Sequence, residues 1–426
     1  MLMLSTYQEK VMSANKAVQL IQPGDEIIAP IAVGEPPALM EALMEYEGLE
    51  NNTLYQMLSL RKVVPLAKEK LRIVSMFLNS HEREAYAKQM IDLLPNHFSN
   101  LPKILKTRVK NPIIIAQVSP IDNEGYFSLG TNCDYTATLV NHAKAIIVEV
   151  NDHMPRTYGK NQIHLSQVKA IVEHTSPLTE TGKPIISEKD KAIGRNIANL
   201  IKDGDTIQIG FGSIPNAVME HLKDFRNLGV YTEMFPDSLV DLYESGAITN
   251  QNKPFYKGIS TATFAFGSKR LYQFMHENPA LCMIPVNESN SIKQIAQFDQ
   301  FVTINGTVEV DFLGQCNSEV VKGNYYSSSG GQSDFGKGVT LCRDGRGIIC
   351  LHSTTKDEKI SKIVPYLHDK SVVTTSKNDV DFIVTEYGVA HLRNRTISER
   401  TRALIDISHP KFREELTFMA QRMGYL

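Results

Sequence analysis

The sequence has no excess of charge of either sign and no long apolar run. Its 426 residues carry 45 Lys and Arg against 47 Asp and Glu, a formal net charge of −2. This balance gives no global electrostatic reason to bind nucleic acid or an anionic membrane. No run of about 18 apolar residues occurs, and the N-terminus lacks the basic start and longer apolar stretch of a secretory signal. We therefore expect a cytoplasmic protein that binds neither nucleic acid nor membrane.

The sequence is also poor in cysteine and in metal-ligand motifs. The cysteines number five, an odd count, are widely spaced and form no C-x-x-C pair. This pattern excludes a disulfide framework or a zinc knuckle and predicts reduced, buried thiols. His81-Glu82-Arg83-Glu84 stops short of the H-E-x-x-H metalloprotease motif. We expect no metal and no permanently bound cofactor.

What the chain does have is the composition of an ordinary globular protein. Hydrophobic residues make up 42% and charged residues 22%. At roughly 100–200 residues per domain, the length predicts two or three domains, each large enough to bury a full core.

An internal repeat narrows this choice to two domains. The segment from Ile21 aligns with the segment from Ile201 when one residue is skipped, at an offset of 180 falling to 179. Nine positions are identical: Ile21/Ile201, Gly24/Gly204, Asp25/Asp205, Ile27/Ile207, Pro36/Pro215, Ala38/Ala217, Met40/Met219, Glu41/Glu220 and Leu43/Leu222. Each copy reads as a turn, a short strand, a loop and an amphipathic helix. Chance similarity between two such units is the alternative to common ancestry.

Strand and helix signals alternate along the chain, which predicts an α/β fold with largely parallel sheets. A polar, turn-rich stretch at residues 176–186 separates the two repeats. We therefore predict two similar tandem domains, at residues 1–185 and 186–426. The predicted strands include Ile113–Val118, Ala145–Val150, Thr206–Gly210, Gly229–Thr232 and Gly347–Leu351; the predicted helices include Glu9–Gln22, Pro37–Glu47, Glu188–Ile201, Asn216–His221 and His409–Met423.

Two glycine loops could bring backbone amides to a ligand. Gly210-Phe211-Gly212-Ser213-Ile214-Pro215 lies between a predicted strand and a predicted helix, where an anion such as a phosphate is favoured. It is not a dinucleotide fingerprint, because Pro215 replaces the third glycine. A plain tight turn is the alternative.

The second loop, Ser327–Gly338, contains Gly330-Gly331 and matches part of the Walker frame from Gly331 to Lys337. Gly338 replaces the required Ser or Thr, and Val339–Cys342 predicts a strand in place of a helix. A nucleotide-hydrolysing function is therefore disfavoured. A flexible glycine turn is the alternative to a ligand-binding loop.

Three glutamates lie at predicted strand ends, where ligands bind in parallel sheets: Glu149, Glu233 and Glu386. Local sequence does not rank them, and a solvated or helix-capping role is the alternative for each.

Several longer motifs, in order along the chain, closely resemble those of the acetyl-CoA hydrolase/transferase family, and in particular its 4-hydroxybutyrate and butyrate CoA-transferases. The matching motifs are Val118-Ser119-Pro120, Tyr231-Thr232-Glu233-Met234, Thr303-Ile304-Asn305, Ser329–Phe335, Val384–Arg393 and His409–Arg413. Asn394 departs from the family pattern, which usually has glycine there, and we expect this change to affect only a surface turn.

The resemblance implies two similar α/β domains with the active site at their interface. It also implies that Glu233 is the nucleophile, attacking an acyl-CoA to give an acyl anhydride and then a glutamyl-CoA thioester. Gly331 would be the backbone donor of the oxyanion hole. Coenzyme A would contact Gly210, Phe211, Gly212, Ser213 and Ile214, together with Asn305, Gly330 and Gly331. Glu386 also lies in a matching motif, so a catalytic role is open for it, but we interpret the motif Val384–Arg393 as mainly structural or domain-packing.

We accordingly predict an enzyme that moves CoA between a short acyl-CoA and a small carboxylic acid such as acetate, butyrate or 4-hydroxybutyrate. An acyl-CoA hydrolase using the same glutamate is the nearest alternative, and a non-catalytic acyl-CoA-binding protein is a second. A homodimer or homotetramer is expected from the general prevalence of symmetric assemblies.

Overall fold

The structure is a computed structural model that describes residues 2–62, 66–182, 184–210 and 212–426. Its contacts divide the chain into two compact units. The first comprises Met1–Gly182 and Thr261–Ser289, and the second comprises Lys183–Ser260 and Asn290–Leu426. The segment Thr261–Ser289 therefore packs with the first unit although it lies beyond the predicted boundary at residue 185.

The first unit is built on a seven-stranded sheet whose neighbouring strands all run parallel. The order across the sheet is β7-β6-β5-β1-β2-β3-β4. All six residues of β5 are buried, as expected when helices cover both faces of a parallel sheet. The strands are β1 (Glu26–Ile28), β2 (Asn52–Gln56), β3 (Leu71–Ser75), β4 (Asp92–Leu93), β5 (Ile113–Val118), β6 (Ala145–Val150) and β7 (Ala170–Glu173).

Three longer helices accompany this sheet: α1 (Leu2–Lys10), α2 (Pro37–Glu45) and α3 (Leu101–Arg108). The predicted helix Glu9–Gln22 is wrong in its extent. The chain leaves the helical conformation at Val11, where the backbone N–H of Met12 donates to the Ile171 carbonyl of β7 at 2.9 Å. The shorter elements of the unit are the helices Ala14–Ala17, Arg83–Ala87, Thr136–Leu139, Lys269–Met275 and Val286–Ser289, and the strands Tyr126–Ser128, Tyr158–Gly159, Gln162–His164, Phe264–Ala265 and Leu281–Met283. Strand Ser260–Ala262 spans the change from the second unit to the first.

The second unit has a six-stranded sheet in the order β9-β8-β10-β11-β12-β13. Its strands pair in parallel except for the last, which forms an antiparallel hairpin with β12. The strands are β8 (Thr206–Ile209), β9 (Gly229–Val230), β10 (Phe301–Gly306), β11 (Arg346–Cys350), β12 (Phe382–Thr385) and β13 (Gly388–His391). The prediction of an α/β fold with mostly parallel sheets is confirmed.

Six longer helices belong to the second unit: α4 (Glu188–Ala198), α5 (Ser213–His221), α6 (Asp237–Glu244), α7 (Gln332–Val339), α8 (Ile397–Asp406) and α9 (Pro410–Arg422). The shorter elements are the helix Ile292–Ile295 and the strands Met234–Phe235, Glu309–Asp311, Cys316–Asn317, Val320–Val321, Asn324–Tyr325 and Ile363–Val364. Asn394 is exposed at φ 60°, in the left-handed region that glycine and asparagine tolerate best. Among the described residues, no helix combines the length and apolar character needed to cross a membrane.

The two repeat copies occupy equivalent places in their sheets. In the first unit the chain goes from β1 to β2 on one side and later returns to β5 on the other. In the second unit it goes from β8 to β9 and later returns to β10. Each repeat strand is therefore the point where the strand order reverses, and in open α/β sheets ligands bind outside the carboxyl ends of the strands at such a point.

Helices α4 and α5 pack unusually closely through Gly194. A Cβ atom built at this residue would lie 2.9 Å from the backbone carbon of Ala217 and 3.0 Å from its oxygen. Because these are backbone atoms, a larger side chain would force the two helices apart. Glycine at this position thus allows α5, the helix that follows the first glycine loop, to pack directly against α4.

We expect Gly194→Ala to lower the free energy of unfolding by about 1–3 kcal/mol, the usual cost of overpacking. Urea unfolding followed by circular dichroism measures this change. Gly336→Ala in α7 is the matched control, because a Cβ there would be an ordinary 3.8 Å from Thr375 Cγ2. The control should be neutral or stabilising by up to about 1 kcal/mol. Equal effects of the two substitutions would contradict the proposed steric cause.

Candidate active site

Glu233 lies in a bend at the carboxyl end of β9, between that strand and Met234–Phe235. The bend is held to β8 by its neighbours. Tyr231 N–H donates to the Ile207 carbonyl at 3.1 Å, and the Thr232 hydroxyl accepts a hydrogen bond from Ile209 N–H at 3.3 Å. The same hydroxyl lies 3.1 Å from the Met234 carbonyl, across the bend. These contacts fix the direction in which Glu233 leaves the sheet.

The Glu233 carboxylate is partly buried and is held by two donors. The side-chain amide of Asn290 donates to Oε2 at 2.6 Å, and the Gly331 N–H donates to the same carboxylate. Burial raises the pKa of Glu233 to about 7, and the negative charge of Asp334 acts in the same direction. The two hydrogen bonds oppose these effects without cancelling them. The result is a carboxyl group that changes charge near neutral pH.

Gly331 has a steric reason to be glycine. Its φ of −95° is open to any residue, so backbone conformation does not demand glycine there. A Cβ atom would instead overlap Glu233 Oε2 and Asn290 Nδ2. Gly330 precedes it at φ 53°, in the left-handed region. The glycine pair therefore brings a backbone N–H against the carboxylate with no side chain between them.

The first glycine loop follows β8, with α5 beginning at Ser213. Gly210 N–H donates to the Ile304 carbonyl of β10 at 2.8 Å, and Gly212 has a φ of 134° that disfavours other residues. Gly212, Ser213 and Ile214 are partly buried at the start of the helix. Because the first N–H groups of a helix have no intrahelical partner, this turn can receive an anion. Phe211, also predicted to contact CoA, lies outside the described residues.

Asn305 lies beside this loop at the end of β10. Its side-chain NH₂ group donates to Gln208 Oε1 at 3.1 Å. Its Oδ1 atom would lie 3.6 Å from a Cβ atom built on Gly210. Gln208 belongs to β8, so the pair joins the two strands that flank the reversal of strand order. The structure thus brings Gly210 and Asn305 together at the place where the fold favours a ligand.

The other two strand-end glutamates accept hydrogen bonds from groups that lie beside them in the fold. Glu149 is buried and accepts a hydrogen bond from Leu39 N–H in the first turn of α2, at 2.9 Å. Glu386 accepts hydrogen bonds from Ser353 N–H at 2.9 Å and from the Ser353 hydroxyl at 2.8 Å. These contacts are those of a helix-capping residue and a turn-fixing residue, and they distinguish both glutamates from Glu233.

The partial Walker frame from Gly331 to Lys337 is not a phosphate loop, because it lies mainly within α7. Lys337 is exposed and pairs with Asp379 at 2.9 Å. The predicted strand Val339–Cys342 is wrong, since the helix extends to Val339 and a turn follows. Phe335 and Val339, four residues apart, are both fully buried, which is the spacing of one helical face.

Sequence reasoning missed the Asn290 amide. Asn290 is fully buried in the short loop between helices Val286–Ser289 and Ile292–Ile295. Its partner is 57 positions earlier in the chain, and nothing in the surrounding polar residues marks it. Asp334 lies within a motif that the sequence singled out, but its effect on Glu233 depends on proximity that only the fold supplies. Among the described residues, no group of three or more His, Cys, Asp or Glu side chains could hold a metal.

Comparison with known proteins identifies the family. Residues 3–180 match the family model "Acetyl-CoA hydrolase/transferase N-terminal domain", and residues 267–420 match the "Acetyl-CoA hydrolase/transferase C-terminal domain". The chain is 41% identical to succinyl-CoA:cyclohexane-1-carboxylate CoA transferase of Geobacter metallireducens, over 98% of this chain and 96% of that one. It is 40% identical to 4-hydroxybutyrate coenzyme A transferase of Clostridium kluyveri, over 96% of this chain and 97% of that one.

Solved structures agree. RipA from Yersinia pestis superposes with a TM-score of 0.92 at 34% identity, covering 100% of both chains. A 4-hydroxybutyrate CoA-transferase from Porphyromonas gingivalis gives a TM-score of 0.83 at 32% identity, covering 99% of both. This chain belongs to the acetyl-CoA hydrolase/transferase family. The predicted family and the predicted class of enzyme, a CoA-transferase, are confirmed.

The raised pKa of Glu233 predicts a pH-dependent stability. Between the ordinary value of 4.5 and about 7 the folded protein binds more protons at this group than the unfolded chain does, so its contribution to stability falls as pH rises. Relative to Glu233→Gln, the wild type should lose up to about 3 kcal/mol of unfolding free energy between pH 5 and pH 8. Urea unfolding at both pH values measures the difference, and parallel pH curves would contradict it.

Gly331→Ala should displace the Glu233 carboxylate, because the added methyl group occupies its place. With Glu233 as the predicted nucleophile, we expect a loss of kcat on the order of 10²-fold in an acyl-CoA exchange assay, since small misplacements of reacting groups cost about this much in rate. Gly336→Ala, in the same helix, should retain full activity. An active Gly331→Ala enzyme would show that the contact with Glu233 is dispensable.

Proposed function

We propose that this protein transfers coenzyme A between a short-chain acyl-CoA and a free carboxylate, with Glu233 as the nucleophile. The observation that carries the proposal is the Glu233 carboxylate, partly buried and held by the Asn290 amide and the Gly331 N–H. A carboxylate with a raised pKa is a better nucleophile than an ordinary one and is still ionised in a useful fraction near neutral pH.

In the first half-reaction, a Glu233 oxygen attacks the thioester carbonyl and CoA leaves as a thiolate, giving a glutamyl-acyl anhydride. The thiolate then attacks the glutamyl carbonyl, which releases the first carboxylate and leaves a glutamyl-CoA thioester. The second half-reaction runs the same steps in reverse with the incoming carboxylate. The free energy of the thioester is conserved in the anhydride and then in the glutamyl-CoA thioester, so no ATP is required.

The two donors on Glu233 suit these steps. Each attack on the glutamyl carbonyl places negative charge on an oxygen that the Asn290 amide or the Gly331 N–H already contacts in the resting enzyme. Donors aimed at such an oxyanion before reaction are a major source of catalysis, and removing one typically costs about 2.7–4 kcal/mol. Gly331 is thus proposed as an oxyanion donor, and Asn290 as a second one.

Coenzyme A is proposed to bind at the Gly210–Ile214 loop, with contacts to Asn305 and to the Gly330-Gly331 pair. The loop supports this assignment because it starts a helix at the reversal of strand order. Since the net charge is only −2, local amides rather than an overall field would hold the phosphates. Coenzyme A is thus proposed as a substrate, with no permanently bound cofactor.

Transfer to a carboxylate is favoured over hydrolysis by the relatives. Five proteins named as CoA-transferases match at 33–41% identity over at least 89% of this chain, and a sixth matches at 27% over 96%. Two named acetyl-CoA hydrolases match at 27% and 28% over only 71%. The relatives named above are described as using succinyl-CoA, cyclohexane-1-carboxylate and 4-hydroxybutyrate. We propose a small carboxylic acid such as acetate, butyrate or 4-hydroxybutyrate as the acceptor.

The test is to incubate the protein with acetyl-CoA or butyryl-CoA without acceptor and to measure its intact mass. A glutamyl-CoA adduct should form and map to Glu233 in digested peptides. Glu233→Gln should form none and lose activity by at least roughly 10³-fold, while Glu220→Gln, an exposed glutamate of α5, should behave as the wild type. A fully active Glu233→Gln variant would refute the proposal. Release of free acid faster than exchange with any added carboxylate would identify a hydrolase.

A further inference from the structure

One buried carboxylate joins three elements around the proposed CoA loop. Asp190, in the first turn of α4, has an exposed fraction of 2%. Its Oδ2 accepts hydrogen bonds from Ser187 N–H at 2.8 Å and from the Ser187 hydroxyl at 2.7 Å, which caps α4. Capping alone would use only this one oxygen.

The second oxygen of Asp190 reaches the proposed binding loop. Oδ1 accepts a hydrogen bond from the hydroxyl of Ser213, the first residue of α5, at 3.1 Å. The same oxygen lies 2.8 Å from Nε2 of His352, two residues beyond β11. One carboxylate therefore connects the start of α4, the start of α5 and the end of β11.

The direction of these hydrogen bonds follows from the charge of Asp190. Burial raises the pKa of this carboxyl group, but hydrogen bonds from Ser187 and His352 outweigh burial and hold the pKa below its usual value. An ionised carboxylate only accepts, so His352 Nε2 and the Ser213 hydroxyl both act as donors. The Ser213 hydroxyl is thus turned toward Asp190, which leaves the backbone of the loop to meet a ligand.

We propose that Asp190 is a positioning residue for coenzyme A and that His352 assists it. Together they hold the first turn of α5 at a fixed place beside β11, so that the N–H groups of Gly212–Ile214 are aligned before the phosphates arrive. A binding loop ordered in advance loses less conformational freedom on binding. This inference rests on the proposed use of the loop for coenzyme A, and it assigns roles to two residues outside the glycine motif.

Asp190→Asn tests the proposal, because an amide keeps the size of the carboxylate but turns one acceptor into a donor. An NH₂ group in place of Oδ2 would face the Ser187 N–H, which can only donate. In place of Oδ1 it would force the Ser213 hydroxyl and His352 Nε2 to change from donors to acceptors. We expect the Kd for free CoA, measured by calorimetry, and the KM for acyl-CoA to rise roughly 10–100-fold, since hydrogen bonds to charged groups are the stronger class. The kcat value should change less than about twofold, because the loop binds substrate and transition state alike.

An acyl-pantetheine substrate separates positioning from general damage, because it lacks the phosphates and the nucleotide. Its kcat/KM should be unchanged in Asp190→Asn. His352→Gln, which keeps a donor, should bind CoA better than His352→Leu. Asp311→Asn is the matched control: Asp311 is equally buried in the same unit and bonds Leu313 and Gln315, so any loss of stability there should leave CoA affinity intact.

Equal CoA affinity in the wild type and Asp190→Asn would overturn the inference, as would equal losses with acyl-CoA and acyl-pantetheine. Calorimetry needs no turnover. A wild type that binds CoA but transfers it to no acid would therefore refute the proposed function while leaving the role of Asp190 supported by a weaker-binding Asp190→Asn. A wild type that does not bind CoA would refute both.

Discussion

The approach of the Gly331 backbone amide to the Glu233 carboxylate constrains several separate parts of the second unit. It requires a residue without Cβ at position 331, a left-handed residue before it, and a bend after β9 that aims Glu233 at the amide. It also requires the buried amide of Asn290 on the same carboxylate. Each of these features restricts the backbone or buries a polar group, and packing alone would not select it. Together they produce one carboxyl group with a pKa near neutrality.

The same contact explains how a carboxylate can be held there with its charge only partly compensated. Two hydrogen bonds are too few to satisfy a desolvated charge fully, and burial together with Asp334 shifts the balance toward the neutral form. Burial raises the pKa of Glu149 as well, but this carboxylate lies at the first turn of a helix and accepts hydrogen bonds from its N–H groups as a cap. The difference between a structural and a proposed catalytic glutamate is therefore the environment of the carboxylate rather than its position in a strand-loop-helix unit.

Much of the fold could be predicted from the sequence where the signal is local. The predicted bounds of Ile113–Val118 and Ala145–Val150 match the structure to the residue, because a buried parallel strand has a largely apolar sequence rich in β-branched residues. Local patterns are insufficient where distant segments decide. The helix predicted from Glu9 is interrupted because Met12 pairs with β7. The packing of Thr261–Ser289 with the first unit likewise depends on contacts that no local pattern contains.

The candidate site shows the same division. Its glycines could be found because close approach and special φ values leave a mark on the sequence, and the family motifs pointed to Glu233. Asn290 and Asp190 could not be identified in this way, because an asparagine or an aspartate between polar neighbours is common in loops and at helix starts.

The two copies of the repeat place a helix start at equivalent points of their sheets, yet they satisfy it differently. In the first unit the chain's own Glu149 lies against the first turn of α2. In the second unit the nearby carboxylate, Asp190, instead accepts a hydrogen bond from the Ser213 side chain at the start of α5. A carboxylate at a helix start neutralises the partial positive charge there, which is confined to the first turn. Such a helix start therefore attracts an anionic ligand less strongly. This difference supports the proposal that the second copy, rather than the first, receives the phosphates of coenzyme A, in a protein whose net charge of −2 would not attract them.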